Sequence, residues 1–78
     1  MEMKRTGPNT TIIQTAGGDR IFFSYSEPVA AWIVGRGFIK TDKFFSVTTS
    51  KHINQFLAGS AAEAVDHAEI LKLTKEAR

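Results

Sequence analysis

The chain has 78 residues, of which 42% are hydrophobic and 23% charged, and its formal net charge is +2. These values describe one small globular domain and exclude a second domain. The absence of cysteine excludes disulfides, thiolate metal sites and cysteine nucleophiles. No apolar stretch approaches the ~20 residues of a membrane span, and the charged start lacks the apolar region of a signal peptide. We therefore expect a cytoplasmic protein without a membrane partner.

The first two thirds of the chain have the composition of β-structure. Residues 1–9 lack periodicity and predict a flexible arm, followed by a single domain over residues 10–78. Pro28 has no amide hydrogen, so we expect it at the start of a strand or on a sheet edge. Phe22 falls on the outer face of its strand, which is unfavourable for a large apolar side chain. β-Branched and aromatic runs separated by turn residues predict four or five antiparallel strands, over 10–15, 20–26, 29–34, 38–41 and 44–48.

The hydrophobic period becomes helical after these strands. Thr48, Thr49 and Ser50 are three candidate N-caps for a helix over residues 51–58, which Gly59 would end. A second helix over residues 68–77 begins after Ser60 or after Asp66, and more signals agree on the second start. We predict the α+β class: an antiparallel β-meander of four or five strands, followed by a short helix and a longer C-terminal helix, both packed on one face.

Few residues in this chain are able to perform catalysis. His52 and His67 lie 15 residues apart, without the spacing of a metal site, so we predict no metal and no cofactor. His52 either packs against the sheet or contacts a ligand at a helix start, whereas His67 is expected in solvent. Ser46 and Ser50 lie near His52, but no G-x-S-x-G elbow occurs. We therefore predict that the protein is not an enzyme.

Basic and aromatic residues alternate between residues 36 and 54. Because aromatic rings stack on bases while cations contact phosphates, this pattern favours single-stranded nucleic acid as a ligand. The alternative is that the phenylalanines face the core and the cations only solvate the surface. Exposed aromatic side chains or an open sheet edge would also suit a partner protein or a homodimer. The residues predicted to bind are Arg36, Phe38, Lys40, Lys43, Lys51, His52 and Asn54.

Two segments carry a resemblance to a known family. They are Tyr25 followed by Pro28-Val29-Ala30, and the run Thr48-Thr49-Ser50-Lys51-His52-Ile53-Asn54. Through them, residues 10–59 resemble a family of small uncharacterised domains encoded by bacteriophages and other mobile elements. The resemblance implies a phage or plasmid setting in a bacterial host cell and no known activity. If the second motif is functional, the positions to test are Thr49, Ser50, Lys51, His52 and Asn54.

We therefore expect a non-catalytic accessory protein of a phage or mobile element that binds nucleic acid or a nucleoprotein complex. The alternative is an inhibitor of a host defence protein, similar to an anti-CRISPR factor, that occludes a protein surface. The two functions differ in salt dependence. Phosphate contacts weaken steeply as the salt concentration rises, whereas an aromatic protein interface does not.

Overall fold

A computed structural model describes the backbone of residues 2–7 and 9–76, and the side chains of Met3 and of residues 9–75. The strands are neighbours in chain order. The first five pair antiparallel, and the sixth pairs parallel to the fifth. This arrangement confirms the predicted α+β class and the antiparallel meander. In chain order the elements are β1 (Glu2–Gly7), β2 (Thr10–Gln14), β3 (Arg20–Ser24), β4 (Glu27–Ile33), β5 (Gly37–Thr41), α1 (Val47–Leu57), β6 (Glu63–Val65) and α2 (His67–Glu76).

The central strands are buried on both faces. Ile21 and Phe22 are neighbours in β3, so their side chains point to opposite faces of the sheet, and they are 2% and 3% exposed. Ala30 and Ala31 repeat this pattern in β4, where both are fully buried. A strand with two buried faces needs a covering layer on each side. The position of Phe22, which is unfavourable in a half-exposed strand, is explained by this second layer.

Each face of the sheet is covered by one helix. The two core clusters lie on opposite faces because one contains Ala30 and the other Ala31, which point to opposite sides of β4. Val29 lies at the shift in the β3–β4 register, where this alternation is interrupted. Our prediction that both helices pack on one face was therefore wrong. The α1 face holds Phe22, Val29, Ala30, Ile53 and Leu57, and the α2 face holds Ala31, Ile39, Val65 and Ile70.

The first helix begins earlier than predicted. Ser46 is its N-cap, with an extended backbone and a hydroxyl that accepts a hydrogen bond from the amide of Thr49 at 3.1 Å. The predicted caps at residues 48–50 therefore lie inside the first turns. Residues 44–48, predicted as a strand, divide between a connection and α1. The helix ends as predicted, since Ala58 and Gly59 have left-handed φ angles of 51° and 85°.

Two strands of the sheet were not predicted. Residues Glu2–Gly7, part of the predicted arm, pair with β2, whereas Met1 and Pro8 lie outside the described residues, as do residues 77–78 of the predicted domain. Residues Glu63–Val65 form β6, which is too short to show alternation. Pro28 is the second residue of β4, beside a shift in the β3–β4 register.

The second helix begins where the stronger signal predicted. The Asp66 carboxylate accepts a hydrogen bond from the amide of Ala68 at 3.0 Å, and the Asp66 carbonyl accepts one from the amide of Glu69 at 2.9 Å. These bonds satisfy amides that a helix start leaves without a partner. Neither helix in the described part of the chain combines the length and the apolar character that crossing a membrane requires.

The covering of the Phe22 face by α1 has a measurable consequence. Phe22 stacks on Phe56 with ring centroids 4.6 Å apart, so Phe22→Ala should lower the unfolding free energy by about 3–5 kcal/mol. Urea denaturation followed by circular dichroism measures the change. The matched control Phe44→Ala, at a side chain 71% exposed, should stay within about 0.5 kcal/mol of wild type. Equal effects of the two substitutions would contradict the packing.

Candidate functional site

An open pocket of about 200 Å³ lies between the end of β5 and α1. It brings together three of the residues predicted to bind, Lys40, Lys43 and Asn54. Lys40 belongs to β5, Lys43 to the connection that follows it, and Asn54 to the third turn of α1. We name it the lysine pocket, and its lining is Lys40, Thr41, Asp42, Lys43, Phe44, Ser50, Ile53 and Asn54.

The lysine pocket combines positive charge, neutral polar groups and an exposed ring. Neither Lys40 nor Lys43 forms an ion pair with any described carboxylate, and Asp42 supplies one negative charge beside them. The Phe44 side chain is 71% exposed. Ammonium, hydroxyl and amide donors around one opening suit an anion such as a phosphate, for which lysine acts as a point charge.

Lys51 lies next to this pocket and does not line it. It is exposed in α1, three residues before Asn54, and residues three apart on a helix are surface neighbours. The structure therefore places four of the predicted binding residues on one flank of α1: Lys40, Lys43, Lys51 and Asn54.

The connection that carries Lys43 and Phe44 is held by hydrogen bonds. The amide of Asp42 donates to the carbonyl of Val65 in β6 at 2.9 Å, and the amide of Lys43 donates to the Thr41 hydroxyl at 3.1 Å. The Lys43 ammonium lies 5.1 Å from the centre of the Phe45 ring, within the range of a cation–π contact. The connection that forms one side of the lysine pocket is therefore hydrogen-bonded to both β5 and β6.

His67 is not in solvent, so that prediction was wrong. Its side chain is 12% exposed, with Nδ1 2.9 Å from the Thr41 hydroxyl and Nε2 2.8 Å from the Glu27 carboxylate. This row resembles a nucleophile, a base and an orienting carboxylate, but the Thr41 hydroxyl lies on the face that α2 covers. Thr41 is also only 6% exposed. The row therefore connects α2 with β4 and β5.

His52 lies on the other flank of α1. It is half-buried, and its Nδ1 is 2.8 Å from the hydroxyl of Ser24. Ser24 is 1% exposed, and its hydroxyl lies 3.2 Å from that of Thr49. The predicted packing of His52 against the sheet is thereby confirmed, and its role in binding stays a prediction.

Arg36 and Phe38 do not line the lysine pocket. Arg36 lies in the turn between β4 and β5, where its guanidinium is 3.3 Å from one carboxylate oxygen of Glu69 and 3.3 Å from one of Glu63. The hydrogen bond to Glu69, and then the charge of Glu63, raise the pKa of Arg36. Phe38 is half-buried, and its ring packs edge-to-face with that of Phe56, with the two ring centroids 5.6 Å apart. Ser50, which was predicted from the sequence as a position to test in the second motif and also as a helix cap, lines the lysine pocket.

Comparison with known proteins gives a family match. Residues 1–72 match a family of unknown function, DUF8033. The matched segment runs from β1 into α2 and includes every residue of the lysine pocket. No curated protein and no solved structure matches the chain.

The bonds around His67 predict the effect of removing one hydroxyl. Thr41→Val keeps the side-chain shape but leaves His67 Nδ1 and the amide of Lys43 without their partner, which should cost about 1–3 kcal/mol of unfolding free energy. The control Thr48→Val removes a hydroxyl at an exposed position of α1. It should change the unfolding free energy by less than about 0.5 kcal/mol. Chemical denaturation of both variants measures the difference, and a neutral Thr41→Val would disprove the structural role of the row.

Proposed function

Because the chain belongs to the family of unknown function DUF8033, we propose a function from the geometry of its pocket. The domain binds single-stranded nucleic acid, and a backbone phosphate occupies the lysine pocket between Lys40 and Lys43. The observation that carries the proposal is the grouping of these two lysines with Ser50 and Asn54 around one opening.

The charges in the pocket determine how strongly it attracts a phosphate. Lys40 and Lys43 contribute two positive charges and Asp42 one negative charge, and Lys51 adds a positive charge at the rim. Ser50 and Asn54 offer neutral donors for phosphate oxygens. Binding through so few cations is weak compared with that of a densely basic domain, and it falls as salt rises because released counterions drive it.

The exposed Phe44 ring favours a single strand over a duplex. Its side chain is 71% exposed and lines the pocket beside Lys43. A base of a single strand can stack on such a ring, whereas the bases of a duplex are already stacked on one another. In the mobile-element setting that the sequence resemblance predicts, this function is that of a non-catalytic accessory protein of a nucleoprotein complex.

A second candidate function is occlusion of a protein surface. Phe44 and Val47 are 71% and 65% exposed within four residues of chain, and exposed apolar side chains are typical of protein interfaces. This function predicts binding to a host protein that persists at high salt, and no affinity for oligonucleotides.

Removing the two pocket charges tests the first function. The double variant Lys40→Gln/Lys43→Gln should lose most of its affinity for a fluorescein-labelled oligothymidylate. The plot of log K against log salt has a negative slope, and its magnitude should decrease by about 0.7 for each phosphate contact that is lost. Fluorescence anisotropy at several salt concentrations measures both quantities.

The matched control for this experiment is Lys72→Gln/Lys75→Gln, which removes two exposed charges from α2 on the other side of the sheet. Its affinity and salt slope should equal those of the wild type. The proposal fails if both double variants lose affinity equally, because binding would then follow net charge alone. It also fails if the wild type does not bind at low salt.

Stacking on Phe44 is tested separately from charge. Phe44→Ala should weaken binding of the oligothymidylate by about 1–3 kcal/mol and leave the salt slope unchanged. Leu71→Ala removes an exposed apolar side chain from α2 and should not affect binding. A duplex of equal length should bind wild type and Phe44→Ala alike, and a preference of the wild type for duplex would contradict the stacking role.

A further inference from the structure

Tyr25 has a backbone conformation that its side chain disfavours. Its φ is 59°, in the two-residue turn between β3 and β4, where a left-handed φ favours glycine. Burial does not compensate, since Tyr25 is 54% exposed. Its amide donates to the carbonyl of Asn9 at 2.6 Å, which fixes the turn against the connection between β1 and β2. An exposed ring on a strained backbone indicates a binding role.

His52 lies beside this ring, and a chain of hydroxyl groups between α1 and the sheet orients its imidazole. The two ring centroids are 5.8 Å apart and tilted by 51°. Ser46 donates to the Thr49 hydroxyl, Thr49 can donate to Ser24, and Ser24 can then donate to His52 Nδ1. In this direction of the chain, neutral His52 carries its proton on Nε2, away from the buried hydroxyl. Within the described part of the chain, Nε2 has no hydrogen-bond partner.

A groove lies along α1 on the same flank as this pair. It has a volume of about 260 Å³ and is lined by Thr10, Ile12, Phe22, Gln55 and Phe56. Phe56 follows His52 by one helical turn, and Phe22 precedes Ser24 by two residues on the same face of β3, so the groove and the ring pair lie on the same flank of α1. We name this surface, from Tyr25 and His52 to Gln55, the aromatic groove.

We propose that the aromatic groove is a nucleobase site. The stacked Phe22 and Phe56 rings give it an apolar aromatic wall, and Tyr25 gives an exposed ring for stacking. The Gln55 amide both donates and accepts, and His52 Nε2–H donates, which matches the edge of a base. A purely aliphatic ligand would desolvate these groups without pairing them.

The aromatic groove and the lysine pocket lie on the two flanks of α1. A helix with its side chains is about 10–12 Å across, so one nucleic-acid strand that crosses α1 can fill both sites. This extension to a nucleic-acid strand rests on the proposed function. The affinity of the groove for a base alone does not, because a free nucleoside carries no phosphate.

The test is therefore a titration of the ¹⁵N-labelled protein with 2′-deoxyadenosine, followed by amide chemical shifts. Saturable shifts should appear at Tyr25, Gln55 and Phe56, and none at Lys40 or Lys43. Unchanged shifts at millimolar nucleoside, or shifts confined to the lysine pocket, would overturn the nucleobase site.

The matched variants are Tyr25→Gly and Tyr25→Phe. Glycine relieves the strained turn and removes the ring, so the thermal midpoint should equal or exceed that of the wild type while nucleoside affinity falls about fivefold or more. Phenylalanine keeps the ring and should keep the affinity. Wild-type affinity in Tyr25→Gly would overturn the proposal. Lys40→Gln/Lys43→Gln should bind the nucleoside normally, which separates failure of the groove from failure of the lysine pocket.

Discussion

The central strands bury both of their faces, and the chain has one helix for each face. Ala30 and Ala31 make this possible, because small side chains on both sides of β4 leave room for α1 and α2. After β5 the chain crosses the sheet as α1 and returns as β6, parallel to β5, and parallel neighbours require such a crossover. The last strand then delivers the chain to the opposite face, where α2 begins. The position of each helix therefore follows from the need to cover the faces that β3, β4 and β5 expose.

The covering of one sheet face by a single helix also creates the lysine pocket and the aromatic groove. A single helix is narrower than the sheet beneath it, so α1 leaves a depression along each flank, polar and basic beside β5 and aromatic beside β2 and β3. The charges divide accordingly. Arg36 is held by two carboxylates on the α2 side, whereas Lys40 and Lys43 remain beside α1 without an ion pair to any described carboxylate.

Local patterns in the sequence predicted the fold class and failed where distant contacts decide. The turn glycines and the Asp66 cap act within a few residues, so the meander and the start of α2 could be predicted. The pairing of β6 with β5 joins residues 39 and 63, which are distant in the chain. With only three residues, β6 is too short to show the two-residue alternation of a strand. The burial of His67 depends on Glu27, 40 residues away. Arg36 was predicted to bind from the alternation of basic and aromatic residues, and that local pattern does not show its partners Glu63 and Glu69, which come from β6 and α2.

The late position of β6 in the chain has a consequence for synthesis. The loop with Lys43 is fixed by the bond from the amide of Asp42 to the carbonyl of Val65, and Thr41 is held by His67 just after it. A ribosome adds about 5–20 residues per second, from the N-terminus onward. All the side chains of the lysine pocket therefore leave the ribosome before the residues that fix them in place. A nascent chain that ends at residue 62 has the charges of the pocket but lacks the bond that holds its loop, so binding under the proposed function would begin only when β6 joins the sheet.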